Sequence, residues 1–249
     1  MISPKPKKPA YIIALQQFRG GGNCRKEDKL WLHYQAKTAL FFGRQARARE
    51  LYQALVQQFP ADIHARICLG NRAAKTGDMS HAMAQFEAVV AIRPQDADTL
   101  FNLGYLHEQL QQYEMAQGYF EQAIAINSNH DRAWYGLGLA RIRAGQLKSA
   151  IEALKENTRI QPMSPYGWYQ LAMTYHHLGE SSEAGKILKH LKNFEPKFAA
   201  QLERDLREVS PQSSSVAGDG VHRTQVKAKE TQPCNSQKDT TSTGARICA

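Results

Sequence analysis

Apolar residues recur along the chain with two periods, one typical of a helix and one much longer. Within residues 29–198, apolar side chains repeat every three or four residues, which predicts amphipathic helices. An alanine also recurs every 34 residues, at Ala48, Ala82, Ala116, Ala150 and Ala184. A fixed period of this length indicates an array of repeated helix pairs, so the sequence predicts an all-α fold.

Each 34-residue unit follows the same plan. A first helix ends at position 15, which is Gly43, Gly77, Gln111, Gly145 or Gly179, because glycine tolerates the left-handed conformation of a helix end. A second helix carries the alanine at position 20, and position 32 is proline except at Ser128. The predicted repeats are 29–62, 63–96, 97–130, 131–164 and 165–198.

Two positions predict how the helices of a pair touch. Position 8 is always glycine or alanine, and position 24 is Tyr52, Phe86, Phe120, Leu154 or Leu188. A small residue opposite a large one lets two backbones approach while the large side chain fills the gap. The first helices are expected to start at capping side chains, namely Asp62, Asp96 and Ser164, the last followed by Pro165.

The segments outside the repeats have different compositions. Residues 1–28 contain six Lys/Arg, two Asp/Glu and several Pro and Gly, and we expect an extended basic arm. Residues 199–209 place apolar side chains on one helical face and predict a C-terminal capping helix. Residues 210–249 contain eleven Ser/Thr and no aromatic residue, so we expect a disordered polar tail.

These repeats resemble the tetratricopeptide repeat (TPR) family. The resemblance rests on Trp134, Leu137, Gly138, Ala150 and Pro162 in one repeat, and on matching residues in the next two: Leu103, Gly104, Ala116, Phe120 and Ala123 before it, and Trp168, Leu171, Ala172, Tyr175, Ala184 and Pro196 after it. It implies a right-handed α-solenoid of five helix pairs plus the capping helix. Arg66, Gln35 and Asn157 depart from the family pattern.

The resemblance also implies a groove lined by the first helices, mainly through positions 2, 5, 6, 9, 12 and 13 of each repeat. The expected peptide-binding residues are Asn71, Phe101, Asn102, Tyr105, Arg132, Tyr135, Tyr166 and Tyr169. Tyrosine combines apolar area with a hydrogen-bonding tip, and asparagine can both donate to and accept from a peptide backbone. The alternative is that the asparagines only follow the family consensus and that the aromatic rings pack between helices.

Some TPR proteins hold a C-terminal carboxylate in a clamp of cations and asparagines. Asn71, Asn102 and Arg132 fall at clamp-like positions, but Ile67 and Gly136 stand where two clamp cations would be. A complete carboxylate clamp is therefore not expected.

Charge, cysteine spacing and hydropathy limit the remaining classes. The formal net charge is +9, but the bases form no run within the repeats, so solvated helix faces are favoured over a nucleic-acid partner. The four cysteines, Cys24, Cys68, Cys234 and Cys248, lie far apart, and no disulfide framework is expected. No segment is apolar over a membrane-spanning length, and a cytoplasmic protein is expected.

No catalytic motif is recognisable. The adjacent His176 and His177 lack a third ligand at useful spacing, so no metal, cofactor or enzymatic activity is expected. The predicted function is a scaffold or adaptor that binds a partner peptide or helix in the groove. A chaperone or assembly factor for a secretion or pilus-like machine, and a regulatory subunit of an enzyme, remain alternatives.

Overall fold

A computed structural model describes residues 26–208 of the chain, with side chains from residue 28 onwards. Every regular element in this range is an α-helix. The helices are α1 Lys26–Phe41, α2 Gln45–Gln58, α3 Ile63–Lys75, α4 Met79–Ile92, α5 Ala97–Gln109, α6 Tyr113–Ile126, α7 Asp131–Arg143, α8 Leu147–Ile160, α9 Pro165–His177, α10 Ser181–Phe194 and α11 Pro196–Glu208. The all-α fold class, five helix pairs and a terminal helix, is confirmed. Residues 26–28, the end of the predicted basic arm, belong to α1, whereas the rest of the arm and the polar tail lie outside the described residues.

The chain divides into two compact units, Met1–Gly136 and Leu137–Ala249, called unit 1 and unit 2 below. In unit 1, Ala73, Ala82, Phe86, Leu103 and Leu106 form one buried cluster that joins α3, α4 and α5. In unit 2, α8, α9, α10 and α11 each contribute fully buried leucine or alanine side chains, among them Leu154, Ala172, Leu191 and Leu202.

The alanines at position 20 are buried throughout the described repeats, with relative exposures between 0 and 2%. Position 8 packs against position 24 as the sequence predicts. A Cβ on Gly70 would lie 2.8 Å from the Phe86 ring, and a Cβ on Gly138 would lie 2.7 Å from Leu154. At positions 70 and 138, glycine is therefore favoured by the close approach of the second helix.

Helix ends follow the sequence with one exception. The four glycines at position 15 have φ between +67° and +79°, and Gln111 takes the same left-handed conformation with φ +60°. Asp62 and Asp96 accept hydrogen bonds from the backbone N–H groups of Ala65 and Thr99. Ser164 makes no such bond, so the prediction of a serine cap there is wrong. The following Pro165 needs no partner for its nitrogen, which leaves the first turn with one donor fewer.

One departure from the repeat pattern is explained by a shared contact. Trp134 and Trp168 each donate an indole N–H to the carbonyl oxygen six residues earlier, at 2.8 and 2.9 Å. Arg66 stands at the same position and donates its Nε–H to the carbonyl of Pro60 at 2.7 Å. The arginine therefore replaces the hydrogen bond of the tryptophan, although not its apolar area.

Candidate functional site

The predicted peptide-binding residues fall in both units. Asn71 lies on α3, Phe101, Asn102 and Tyr105 lie on α5, and Arg132 and Tyr135 lie on α7, all in unit 1. Tyr166 and Tyr169 lie on α9 in unit 2. We describe the two sets separately.

Neighbouring first helices of unit 1 meet through the same pair of repeat positions. His33 at position 5 of α1 contacts His64 at position 2 of α3, with ring centroids 5.3 Å apart. Phe101 at position 5 of α5 contacts Arg132 at position 2 of α7, with the guanidinium carbon 4.9 Å from the ring centroid. This recurrence, together with the helical period, brings the residues at positions 2, 5, 6, 9 and 13 to one side of unit 1, which we call the unit 1 face.

Asn71 and Asn102 supply hydrogen-bonding capacity to the unit 1 face. Both side chains are half-buried, and neither makes a side-chain hydrogen bond to another described residue. Each amide offers two N–H donors and one carbonyl acceptor. An extended peptide backbone, with alternating donors and acceptors, could satisfy both.

Arg132 is engaged by its neighbours. Its Nη2 lies 3.0 Å from Oδ1 of Asp98, and His130 Nε2 lies 3.3 Å from the same oxygen. The neighbouring His130 ring and the positive charge of Arg132 outweigh partial burial and hold the pKa of Asp98 below its ordinary value. The positive charge of Arg132 is therefore partly neutralised, and its guanidinium packs over Phe101.

His130 was not among the sequence-predicted residues, although it orders this cluster. It is 6% exposed, and its Nδ1 accepts the backbone N–H of Ala133 at 3.2 Å in the first turn of α7. An acceptor Nδ1 leaves the ring proton on Nε2, the atom that faces Asp98. The position before a first helix, where Asp62 and Asp96 also cap, is the signal that could have found it.

Aromatic side chains differ in how open they are. Tyr105 is 44% exposed, and burial of the rest of its ring, followed by the charge of Glu108, raises its pKa. Tyr135 is half-buried and engaged with other groups of the chain. Phe101 packs against Phe120 and His130, with centroids 5.8 and 5.3 Å away. Tyr105 is thus the most accessible of the three predicted aromatic residues in unit 1.

The repeat register extends the unit 1 face to α1, where we had predicted no site residue. Leu30, Tyr34 and Phe41 occupy positions 2, 6 and 13 of the first repeat and are 69, 69 and 85% exposed. Applying the same positions to residues 29–62 would have found them. Exposed apolar side chains on a helix face are typical of protein-binding surfaces.

The missing cation at Gly136 has a packing reason. A Cβ on Gly136 would lie 2.7 Å from the Phe120 ring, and a Cβ on Gly104 would lie 2.8 Å from the same ring. Phe120 thus occupies the space that a side chain at position 136 would need. A carboxylate clamp with a cation at this position is incompatible with the packing.

The two predicted tyrosines of unit 2 are contacted by the terminal helix. The Tyr169 hydroxyl donates a hydrogen bond to Asp205 of α11, and burial together with this carboxylate raises the Tyr169 pKa. The Tyr166 ring packs edge-on against Phe198, also of α11, with centroids 5.2 Å apart. The terminal helix therefore contacts the face of α9 that corresponds to the unit 1 face.

A polar cluster lies where α1 meets α3. The Asp62 carboxylate is 3% exposed and lies 2.9 Å from Lys29 Nζ and 2.8 Å from His33 Nε2. Burial opposes its ionisation, but hydrogen bonds from the backbone of Ala65, from His33 and from Lys29 outweigh this and lower its pKa. The cluster stabilises the junction of the first two repeats.

Cys68 lies beside a histidine. Its Sγ is 3.7 Å from His64 Nε2. The other three cysteines, Cys24, Cys234 and Cys248, lie outside the described residues, so the absence of a disulfide framework stays a prediction.

Within the described helices, no group of three or more His, Cys, Asp or Glu side chains is arranged to hold a metal ion. No helix among residues 26–208 is long and apolar enough to cross a membrane.

Solved structures with similar folds share little sequence with this chain. YrrB, described as a TPR protein with an unusual peptide-binding site, is 20% identical with a TM-score of 0.62, covering 79% of this chain and 98% of that chain. A MamA crystal structure is 20% identical with a TM-score of 0.62, covering 78% and 100%. A MamA fragment from Desulfovibrio magneticus RS-1 is 21% identical with a TM-score of 0.61, covering 71% and 96%. No curated protein sequence matches the chain.

Family models of the tetratricopeptide repeat match residues 35–97, 101–165 and 165–198, which together span more than half of the chain. The repeat length, the buried position-20 alanines and the glycine contacts at position 8 agree with these matches. The chain therefore belongs to the tetratricopeptide repeat family.

Proposed function

We propose that the protein is an interaction module that binds an extended peptide or a short helix of a partner protein on the unit 1 face. The observation that carries this proposal is the combination of exposed apolar side chains at Leu30, Tyr34, Phe41 and Tyr105 with the half-buried amides of Asn71 and Asn102. Apolar area supplies affinity, and the amides fix the register of a bound backbone.

The charges of the unit 1 face favour a partner held mainly by apolar contacts and hydrogen bonds. Arg132 is paired with Asp98, and Gly136 leaves no room for a further cation. Recognition of a peptide C-terminus by a full clamp is therefore not part of the proposal. A scaffold or adaptor role follows if the partner is a second protein of an assembly. The peptide-binding site named for YrrB is consistent with this proposal.

The cytoplasmic location stays a prediction. Fractionation of cells that express the full chain, followed by immunodetection of each fraction, tests the location. Recovery in an oxidising compartment would overturn the prediction.

Quantitative affinity capture tests the proposed function. We expect Asn71→Ala with Asn102→Ala to lower partner recovery about tenfold or more, because each bound amide contributes on the order of 1 kcal/mol and leaves its partner group unpaired when removed. The matched control is Gln53→Ala with Gln122→Ala, which removes two exposed amides from α2 and α6. Both variants should keep the helical circular dichroism of the wild type. Equal recovery from the two variants would overturn the proposal.

A further inference from the structure

Unit 2 contains a cleft that the proposed function does not use. It has a volume of about 390 Å³ and lies between α8 and α10, with α9 as its floor. Its apolar lining includes Trp168, Leu171 and Ile187, and Lys155 and Arg159 contribute positive charge. We call it the α8–α10 cleft.

The α8–α10 cleft lies on the other side of α9 from Tyr166 and Tyr169. Successive residues of a helix are about 100° apart, which places Trp168, Leu171 and Tyr175 roughly opposite Tyr166 and Tyr169. Contacts confirm this arrangement, because Tyr166 and Tyr169 touch α11, whereas Trp168 contacts His190 of α10 with ring centroids 4.6 Å apart. A ligand in the cleft would therefore bind independently of the face that α11 covers.

The floor of the cleft is rigid and apolar. Leu171, Tyr175 and Ile187 are 2, 8 and 7% exposed, so their side chains are fixed by packing. The Trp168 indole is held by its hydrogen bond to the Pro162 carbonyl. At about 390 Å³, the cleft is at the small end of the range of ligand sites. It suits one bulky side chain and the backbone around it, rather than a whole helix.

Two of the three charged side chains that line the cleft are basic. Lys155 is exposed at the rim, with its Nζ 5.8 Å from the Tyr175 ring centroid. Arg159 is 61% exposed, and its Nε forms an ion pair with the Glu156 carboxylate at 2.8 Å. The acidic Glu183 is itself paired with Lys186 at 2.6 Å, which reduces its effect on the cleft. An anionic group would be attracted to this rim.

The corresponding positions of unit 1 hold side chains of different shape and charge. The residues that correspond to Tyr175 and Ile187 in the repeat register are His107 and Tyr119, whose rings stack 5.1 Å apart. The residue that corresponds to Lys155 is Glu87. The α8–α10 cleft is therefore not a general consequence of the repeat fold.

We propose that the α8–α10 cleft binds an acidic peptide of a partner protein, which inserts one bulky apolar side chain against Trp168 and Ile187 while its carboxylates pair with Lys155 and Arg159. The chain's own ends do not have this chemistry. Residues 1–28 carry six Lys/Arg against two Asp/Glu, and residues 209–249 carry five Lys/Arg against three Asp/Glu. Charge complementarity therefore favours a separate, acidic partner.

Fluorescence anisotropy with defined peptides tests the proposal on the full chain. The probes are labelled heptapeptides of the form Asp-Glu-Asp-X-Glu-Asp-Glu, with phenylalanine, leucine or alanine at X. The phenylalanine and leucine peptides should bind about tenfold or more tighter than the alanine peptide, because only they bury a large apolar side chain. Equal affinities, or no binding by any of the peptides, would overturn the proposal.

Charge reversal identifies the surface that binds. Lys155→Glu with Arg159→Glu should weaken the phenylalanine peptide about tenfold or more. The control, Lys148→Glu with Lys189→Glu, changes the net charge equally at exposed positions of α8 and α10 that do not line the cleft, and it should stay within about threefold of wild type. Equal weakening by both variants would mean a general charge effect and would contradict the proposal.

Nuclear magnetic resonance separates the cleft from the unit 1 face. The phenylalanine peptide should shift the Trp168 indole N–H signal and leave that of Trp31 in place. Asn71→Ala with Asn102→Ala should bind the peptide as wild type does. Loss of binding in that variant would move the site to the unit 1 face and refute the cleft. If the affinity capture instead shows that the two asparagines do not affect partner recovery, the proposed function fails, but peptide binding in the α8–α10 cleft still stands.

Self-association is the competing explanation, because residues 97–130 carry four Asp/Glu and no Lys or Arg. Sedimentation of the full chain should give one species that Lys155→Glu with Arg159→Glu does not change. A dimer that dissociates in this variant would show that a second copy fills the cleft, and the separate partner would be refuted.

Discussion

Unit 1 and unit 2 follow one repeat register but use its surfaces differently. In unit 1, Tyr105 of α5 remains 44% exposed, and Tyr34 and Phe41 of α1 are more open still. In unit 2, α11 contacts the corresponding face of α9 through Phe198 and Asp205, although Tyr166 on that face remains 52% exposed. The same side of the first helices is therefore contacted by a further helix in unit 2, which leaves Tyr166 open but engages Tyr169.

The opposite side of the first helices also differs between the two units. The His107 and Tyr119 rings stack on each other in unit 1, whereas the corresponding Tyr175 and Ile187 line a cleft in unit 2. Register alone thus determines which residues share a surface. Whether that surface is open depends on side-chain size and on the element that follows in the chain.

Phe120→Ala should have the largest effect on stability. Phe120 is 1% exposed and contacts glycines of both α5 and α7, so its loss leaves a cavity that neither backbone can fill. We expect a cost of about 3–5 kcal/mol. Leu154→Ala in unit 2 should cost about 2–5 kcal/mol. Urea unfolding followed by circular dichroism measures both, and a loss below about 1 kcal/mol for Phe120→Ala would refute this packing.

Ala116→Leu should destabilise unit 1 by overpacking. Ala116 is 0% exposed between the helices of its pair, and a larger side chain there should cost about 1–3 kcal/mol. Ala125→Leu adds the same side chain at an exposed position of α6 and should change stability by less than about 0.5 kcal/mol. Similar melting temperatures for the two variants would contradict the predicted register.

Asp62→Ala and Ser164→Ala compare how much the residue before a first helix contributes to stability in unit 1 and in unit 2. Asp62 caps α3 and pairs with Lys29 and His33, so its loss should cost about 1–2 kcal/mol at neutral pH. Ser164 makes no cap bond, and its replacement should cost less than about 0.5 kcal/mol. The urea concentration at the unfolding midpoint measures the stability lost by each variant. Equal losses of stability would contradict the claim that Asp62 caps its helix and Ser164 does not.

The Asp62 contribution should also depend on pH. Its pKa is lowered in the folded chain, so the stability that it adds is present above its ordinary pKa of about 3.9 and is lost as pH falls through the lowered value. The difference between wild type and Asp62→Ala should therefore narrow below about pH 4. A difference that stays constant into more acidic solution would contradict the ion pairs of Asp62.

Gln111→Gly should have the smallest effect and the opposite sign. Gln111 has φ +60°, a conformation that is unfavourable for a residue with a Cβ, and glycine should stabilise unit 1 by up to about 1 kcal/mol. Gly145→Gln in unit 2 should destabilise by a similar amount, because Gly145 has φ +75° and no neighbour that a Cβ would meet. Thermal melts of both variants test the pair, and an unchanged or lower melting temperature for Gln111→Gly would contradict it.

The repeat architecture could be predicted from the sequence because each structural role recurs every 34 residues. Ala116, Gly104 and Gly145 are constrained by contacts or dihedral angles that few other residues satisfy, so the pattern identified them. The pairing of Arg132 with Asp98 could not be predicted in this way, since it depends on the distance between two exposed side chains. The cover that α11 provides for Tyr169 was also missed, because the repeat pattern does not indicate which face a terminal helix contacts.

Site-specific photo-crosslinking measures binding at the unit 1 face most directly. Benzoylphenylalanine in place of Tyr105 should crosslink the partner protein, and Asn71→Ala with Asn102→Ala in the same chain should reduce the product about tenfold. Benzoylphenylalanine in place of Ala125, which is exposed on α6, should yield little product. A product of equal yield from both positions, or one that survives loss of the two amides, would show that the partner binds elsewhere.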